Sequence, residues 1–316
     1  MRSVLLAGGC GFLGSHLLDR LVERKDVYRI VVLDNLWTGT RANIAHIRDP
    51  RVHVVIDDAE RFRSETRFDE IIHMASPASP PWYMREPLRT ITANVGGAIN
   101  LLGALAPGGR FSFASTSEVY GDPLVSPQPE SYRGMVDCTG PRSSYDESKR
   151  CTESLLFEMR RTRGLDIRII RLFNVYGPRT RIDDGRAVSN FIGQALKDGE
   201  LTVYGDGRQS RDFTYVDTVC EVIETALAEQ IGSPDPVNLA YGTPTTLLDL
   251  LALLEDALGH PVERTHVDSR RGDVRASQAD GERVRALFGG VTPVELPEGL
   301  AATVDWFRNG GAAGQR

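Results

Sequence analysis

Glycines at positions 8, 11 and 14, set between a short apolar run and an amphipathic stretch, restrict this chain more than any other feature. Residues 4–7 (Val-Leu-Leu-Ala) read as a buried strand, and 13–24 repeat apolar positions at helical spacing. Between them, Gly8-Gly9-Cys10-Gly11-Phe12-Leu13-Gly14 lets the chain turn tightly, approach a pyrophosphate and pack the helix close to the sheet. The helix N-terminus then offers free N–H groups to phosphate oxygens. The second strand, 30–33, ends at Asp34, twenty residues after Gly14. An acidic side chain there accepts hydrogen bonds from adenosine ribose hydroxyls and repels a 2′-phosphate, so NAD is expected rather than NADP. Asp58, after the third strand, is either an adenine contact or a solvated loop residue.

Short runs at 4–7, 30–33, 52–56, 70–74, 110–114 and 167–171 read as strands. Helices are expected at 13–24, 87–105 and 145–163, then at 188–197, 216–229 and 246–258. Strand and helix in alternation predict an α/β fold, a Rossmann-type doubly wound parallel sheet with a smaller α/β substrate-binding lobe. The boundaries expected are 1–173 plus about 213–241 for the dinucleotide-binding domain. Segments 174–212 and 242–308 form the lobe, with a flexible tail at 309–316.

Thirty-seven Lys and Arg against 43 Asp and Glu leave a formal charge of −6. That balance argues against nucleic-acid or anionic-membrane partners, because both need a concentrated positive field. The chain has no run of 18 apolar residues, and its first six residues enter a strand directly, which leaves no room for a signal peptide. Four cysteines (Cys10, Cys138, Cys151, Cys220) without C-x-x-C spacing and six scattered histidines give no metal site and no disulfide framework. A cytoplasmic protein is expected.

The strand at 110–114 leads into Ser115-Thr116-Ser117-Glu118-Val119-Tyr120-Gly121, and 27 residues after Glu118 comes Tyr145-Asp146-Glu147-Ser148-Lys149. Tyr145 and Lys149, four apart, share one helix face. A tyrosine ordinarily ionises near pH 10, but a neighbouring ammonium and a positive nicotinamide ring favour the phenolate. Such a group can take a proton from a substrate hydroxyl while its carbon gives up hydride.

With these residues in place the chain resembles the extended short-chain dehydrogenase/reductases, and within them the UDP-glucuronate decarboxylases (UDP-xylose synthases), over nearly its whole length. Segments that carry the likeness include Gly9-Cys-Gly-Phe-Leu-Gly-Ser-His16, Ala75-Ser-Pro-Ala-Ser-Pro-Pro81, Gly140-Pro-Arg142, Tyr176-Gly-Pro-Arg179, Leu201-Thr-Val-Tyr-Gly-Asp-Gly207 and Tyr215-Val-Asp217. The tripeptide Thr116-Ser117-Glu118 discriminates, since the related 4,6-dehydratases carry an aspartate at the second place to protonate a departing hydroxyl.

The resemblance implies oxidation of UDP-glucuronate at C4′, loss of CO2 from the resulting β-keto acid, protonation at C5′ and reduction to UDP-xylose. Thr116, Glu118, Tyr145, Lys149 and Arg275 would be catalytic. Gly8, Gly11, Phe12, Leu13, Gly14, Asp34, Asn35, Asp58, Ala75, Tyr145 and Lys149 would hold NAD. Tyr83, Arg85, Asn174, Arg186, Tyr204, Arg211 and Arg275 would face the UDP-sugar. Arg211 is matched to the diphosphate, and Arg275 to the substrate carboxylate unless it is a surface or diphosphate arginine. A homodimer is implied, joined through 87–105 and 145–163 as a four-helix bundle.

Three segments depart from the family's wording: Tyr83-Met84-Arg85-Glu86-Pro87, the loop Tyr132 to Arg142, and Arg271 to Asp280. Arg85 resembles related decarboxylases that release the 4-keto pentose with NADH, so release of UDP-4-keto-pentose is the alternative outcome. Cys138, in the second segment, is a bystander or a pocket wall. A 4-epimerase, a 4,6-dehydratase and a non-catalytic NAD-binding sensor are the remaining readings.

Overall fold

A computed structural model of the protein describes residues 1–197, 199–228, 235–270 and 272–311. Its strands are β1 (Arg2–Ala7), β2 (Val27–Asp34), β3 (Val52–Ile56), β4 (Phe68–His73), β5 (Leu105–Thr116), β6 (Asp166–Leu172), β7 (Asn174–Tyr176), β8 (Glu200–Tyr204), β9 (Ser210–Tyr215), β10 (Val237–Leu239), β11 (Pro244–Thr246), β12 (Glu263–Val267) and β13 (Ala276–Ser277). Its helices are α1 (Phe12–Glu23), α2 (Pro80–Arg85), α3 (Pro87–Ile91), α4 (Gly97–Leu102), α5 (Ser143–Arg163), α6 (Ala187–Lys197), α7 (Val216–Ala228), α8 (Leu247–Leu258), α9 (Glu282–Leu287) and α10 (Leu296–Arg308).

Seven strands form a parallel sheet in the order β10-β6-β5-β4-β1-β2-β3. Helices cover both faces, so the central strands are apolar on both sides. Val4 and Leu6 of β1 pack with Leu17, Leu21 and α7, whereas Leu5 and Ala7 join Phe111, Phe113 and Leu156 on the other face. Consecutive strands run outward from β1 to β3 on one side and from β4 to β6 on the other. The chain therefore reverses direction between β1 and β4, where a crevice opens at the carboxyl ends of the strands. The edge strand β3 has the exposed Val54 and Ile56 that an edge position entails.

The rest of the chain builds the second lobe. β9 pairs with β7 and β13 in parallel and with β11 antiparallel, while β8 pairs with β12. α7 and β10 return to the first sheet, β10 against β6 and α7 against α1. The helix expected at 216–229 ends at Ala228, and Glu229 lies outside the described residues, as do 312–316 of the expected tail.

The helix expected over 87–105 is broken. α3 is followed by a π-turn at Thr92–Gly96 and then α4, and Leu105 already begins β5. Gly97 marks the reason. A Cβ there would meet the His73 ring at 3.2 Å and the Ala59 methyl at 3.1 Å, so the helix is pressed onto the end of β4. Pro107-Gly108-Gly109 reads as a turn but lies within β5, with Gly108 at φ +74°.

Candidate active site

The crevice contains a cavity of about 310 Å³ that runs from the glycine turn and β2, past the end of β5 and the start of α5, to β8 and the segment before β13. At its first end the glycines act differently from one another. Gly8 has φ +88°, and a Cβ on it would lie 2.8 Å from the Met74 and Ala75 backbone. A Cβ on Gly14 would lie 2.2 Å from the Gly8 carbonyl oxygen, so α1 can approach the turn only without a side chain there. Gly11 is extended (φ −74°, ψ 177°), and its Cβ would meet only the Gly8 oxygen, at 3.2 Å. Its openness faces the cavity, as does the start of α1, which has no side-chain cap.

The Asp34 carboxylate accepts hydrogen bonds from the Cys10 amide at 2.9 Å and the Leu36 amide at 2.8 Å, tying the end of β2 to the glycine turn. Burial raises its pKa and these amides oppose the rise. Phe12, Leu13, Asn35 and Ala75 line the same end. A bare glycine cradle, an uncapped helix N-terminus and a carboxylate at the end of β2 fit a dinucleotide with an unphosphorylated ribose.

Asp58 does not line this cavity; Asp57 and Ala59 do. Asp58 accepts from Asn35 Nδ2 at 2.6 Å and pairs with Arg89 at 3.6 Å. The structure thus places the Asp58 carboxylate against Asn35, beside the cavity wall.

In the middle of the cavity, β5 delivers Thr116 and α5 delivers Tyr145 and Lys149. The Thr116 side chain lies beside the Tyr145 phenol and favours its ionisation. Lys149 Nζ donates to the Ala114 carbonyl at 2.7 Å and sits 4.6 Å from the centre of the Phe113 ring. Burial pushes the Lys149 ammonium down to about 7, with Glu153 opposing. Burial also raises the Tyr145 phenol, while Thr116 and the charge of Arg186 pull it back. A base whose cost of ionisation falls when positive charge enters the cavity is the result.

Tyr83 stacks on Tyr145 with centroids 4.8 Å apart and planes 9° from parallel. Its hydroxyl accepts from Arg142 Nε at 2.8 Å, and Arg142 Nη2 holds Glu118 Oε2 at 2.9 Å. Behind them lies the buried Asp146, its carboxyl raised by burial first and the Glu118 charge next, with Oδ1 lacking a hydrogen-bond partner.

Six arginines among the described residues line the cavity: Arg142, Arg179, Arg181, Arg186, Arg211 and Arg270. Asp34, Asp57, Glu60, Glu118, Asp184 and Asp273 line it as well, and the planar guanidinium groups are suited to an anionic ligand. Asn174 and Tyr204 line it too, with the Arg270 guanidinium 3.9 Å from the Tyr204 ring centre. Arg211 pairs with Asp273 at 2.6 Å, and Arg186 with Asp184.

Two expected members lie elsewhere. Arg275 is exposed and pairs with Asp206 at 2.7 Å on the surface, because Val274 takes the inward place in front of β13 and its neighbour turns outward. Arg85, at the end of α2, is exposed over the Trp82 ring and does not line the cavity. Cys138 is exposed and also outside the wall.

The sequence reading missed Arg142 as a site residue although it quoted Gly140-Pro-Arg142. Three residues before Tyr145, it sits one turn ahead of the base. Arg270, Gln209 and Trp37 line the cavity from loops whose sequence carries no comparable signal.

Residues 4–240 match the NAD dependent epimerase/dehydratase family. UDP-glucuronic acid decarboxylase 3 of Arabidopsis thaliana is 42% identical over 309 residues, covering 96% of this chain and 89% of the relative. UDP-glucuronic acid decarboxylase 1 of Xenopus tropicalis is 39% identical over 310 residues, covering 97% and 72%. A solved UDP-glucuronic acid 4-epimerase from Bacillus cereus, in complex with UDP-glucuronic acid and NAD, superposes with a TM-score of 0.84 at 26% identity over 97% of this chain and 99% of that one. Glycine cradle, Tyr-Lys pair and relatives agree that the chain belongs to the NAD dependent epimerase/dehydratase family, among its UDP-glucuronic acid decarboxylases.

Proposed function

We propose that the protein converts UDP-glucuronate to UDP-xylose and CO2 through a 4-keto intermediate. The observation that carries the reading is the corner Thr116-Ser117-Glu118 facing Tyr145 inside an arginine-lined cavity. Bound at the glycine cradle, NAD supplies an acceptor for hydride from C4′ and a donor for its return. Tyr145, beside Thr116 and Lys149, takes the O4′ proton and later gives it back. Ser117 offers no carboxyl to protonate a leaving hydroxyl, which suits a reaction that expels CO2. Glu118, fixed by Arg142, is the carboxyl placed to manage the proton at C5′. The cavity arginines hold the diphosphate and the sugar carboxylate, with Arg211 and Arg186 on the substrate side.

Arg85, the residue shared with decarboxylases that release the 4-ketone, lies off the cavity over Trp82, which favours full reduction. Incubation with UDP-glucuronate, with and without added NAD, tests this. UDP-xylose as the product in both supports the reading, and a 4-keto pentose that accumulates with added NAD overturns it in favour of release.

The protein is further proposed to be a homodimer. Leu88 (73% exposed), Ile91 (42%) and Ile99 (57%) crowd α3, the π-turn and α4, beside α5, and an apolar helical face of this kind is suited to burial against a second copy. A cytoplasmic location fits the exposed free thiols of Cys138 and Cys151. No helix among the described residues is long and apolar enough to cross a membrane.

A further inference from the structure

Behind the Tyr-Lys pair lies a buried charge cluster that the reaction above does not use. Positions 145, 149 and 153 fall on one stripe of α5 that faces successive residues at the end of β5, and the latter two are hydrogen-bonded to it. Tyr145 meets Thr116, Lys149 donates to the Ala114 carbonyl, and Glu153 Oε1 accepts from Ser115 Oγ at 2.5 Å. Glu153 is 6% exposed and does not line the cavity. Both of its oxygens are gripped by Arg171, from Nε at 2.9 Å and from Nη2 at 2.6 Å. Arg171 stands opposite Ser115 in the β5–β6 register. Its Nη1 donates to the Tyr120 hydroxyl at 2.9 Å, and Tyr120 donates to Asn238 Oδ1 at 2.7 Å on β10. Two strands and α5 thus converge on one carboxylate, and Arg171 ties β10 to them through Tyr120.

We propose that Glu153, clamped by Arg171 and Ser115, is a positioning residue for the reaction: it locks the end of β5 onto α5 so that Ala114 and Thr116 stay in register with Lys149 and Tyr145, and it is the counter-charge of the Lys149 ammonium. This rests on Tyr145 and Lys149 acting as the base pair proposed above.

The groups that face Lys149 leave Glu153 without a substitute. From β4 comes His73, whose burial pushes it down to about 3 and keeps it neutral. From β5 come the Phe113 ring and the Ala114 carbonyl, and from α5 the Tyr145 ring and Glu153. Tyr145 itself is faced by Thr116, Glu118, Asp146 and Arg186. Glu118 already holds Arg142, and Asp146 is raised by burial, so neither serves Lys149. With the Glu153 charge removed, Lys149 gives up its proton more readily, and a neutral amine no longer favours the phenolate of Tyr145.

The test is the pH dependence of kcat for UDP-glucuronate in Glu153→Gln, Glu153→Asp and the double variant Glu153→Gln with Arg171→Gln, which strands neither charge. Glu153→Gln is expected to lower kcat roughly tenfold or more, leave KM for the UDP-sugar unchanged and move the acid limb to higher pH. Glu153→Asp keeps the charge and restores the limb. If Glu153→Gln unfolds, the double variant decides: a slowed kcat with unchanged KM supports the proposal. A folded variant lacking Glu153 that retains the wild-type kcat and pH profile overturns it. Tyr145→Phe, run alongside, must abolish turnover; if it does not, the reading of the base pair is at fault rather than the role of Glu153.

Discussion

Replacing Gly11 and Gly14 by alanine, one at a time, should separate the part of the glycine turn that serves the fold from the part that serves the ligand. A Cβ on Gly14 falls 2.2 Å from the Gly8 oxygen and 2.8 Å from the Gly9 Cα, all of it backbone. Relief to ordinary contact needs α1 to withdraw by about 1 Å, an overpacking cost of roughly 1–3 kcal/mol in a close-packed interior. For a chain of this size that is a fall in Tm of roughly 2–5 °C, accompanied by loss of NAD affinity as the helix N-terminus moves away. Gly11 differs: its φ of −74° suits any residue and its Cβ meets only one atom, at 3.2 Å. Alanine there restricts the unfolded chain and should leave stability within about 1 kcal/mol of wild type. Its methyl projects into the cavity and should weaken NAD by about tenfold or more. Thermal unfolding without ligand and calorimetric titration with NAD read the two effects separately. Equal losses of Tm in both variants, or undiminished NAD affinity in Gly11→Ala, would refute the division of roles.

Three further outcomes follow from the site. Tyr145→Phe, which keeps the stack on Tyr83, should bind UDP-glucuronate normally and lose kcat by about 10²–10⁴-fold in steady-state assays. Arg142→Met frees Glu118 and the Tyr83 hydroxyl, and should lower kcat/KM by roughly 10–100-fold, whereas Arg275→Ala, which breaks only an exposed pair, should leave kcat/KM as in wild type. The Asp146 carboxyl is raised above its unfolded value of 3.8 by burial and Glu118, so its contribution to stability is complete below that value and is lost as pH rises through the raised one. Denaturant unfolding across pH should show that decline in wild type and a flatter curve in Asp146→Asn.

The parts that sequence revealed were those in which local spacing does the chemistry. The turn Gly8 to Gly14, Asp34 at the end of β2 and the pair Tyr145 and Lys149 each depend on a strand end or one helix face, and each lines the cavity. Arg275 was misplaced because its orientation is decided by how β13 pairs with β9, a contact between segments distant in sequence. Arg85 was misplaced for a similar reason: α2 turns Tyr83 inward and so carries Arg85 outward. The second sheet was not legible, since its strands are short and several pair with segments distant in sequence. Glu153 carries no signal in the local sequence, because the Arg171 that holds it comes from β6.

Oxidation at C4′, decarboxylation, protonation at C5′ and reduction again at C4′ within one cavity leave an isotopic signature. It is read by turnover of UDP-glucuronate in heavy water, with the product examined by NMR. UDP-xylose is expected with one deuteron at C5′ and none at C4′, because the C5′ proton comes from groups in exchange with solvent and the hydride returns to the carbon it left. Deuterium at C4′, or a product that retains its carboxylate, would contradict it.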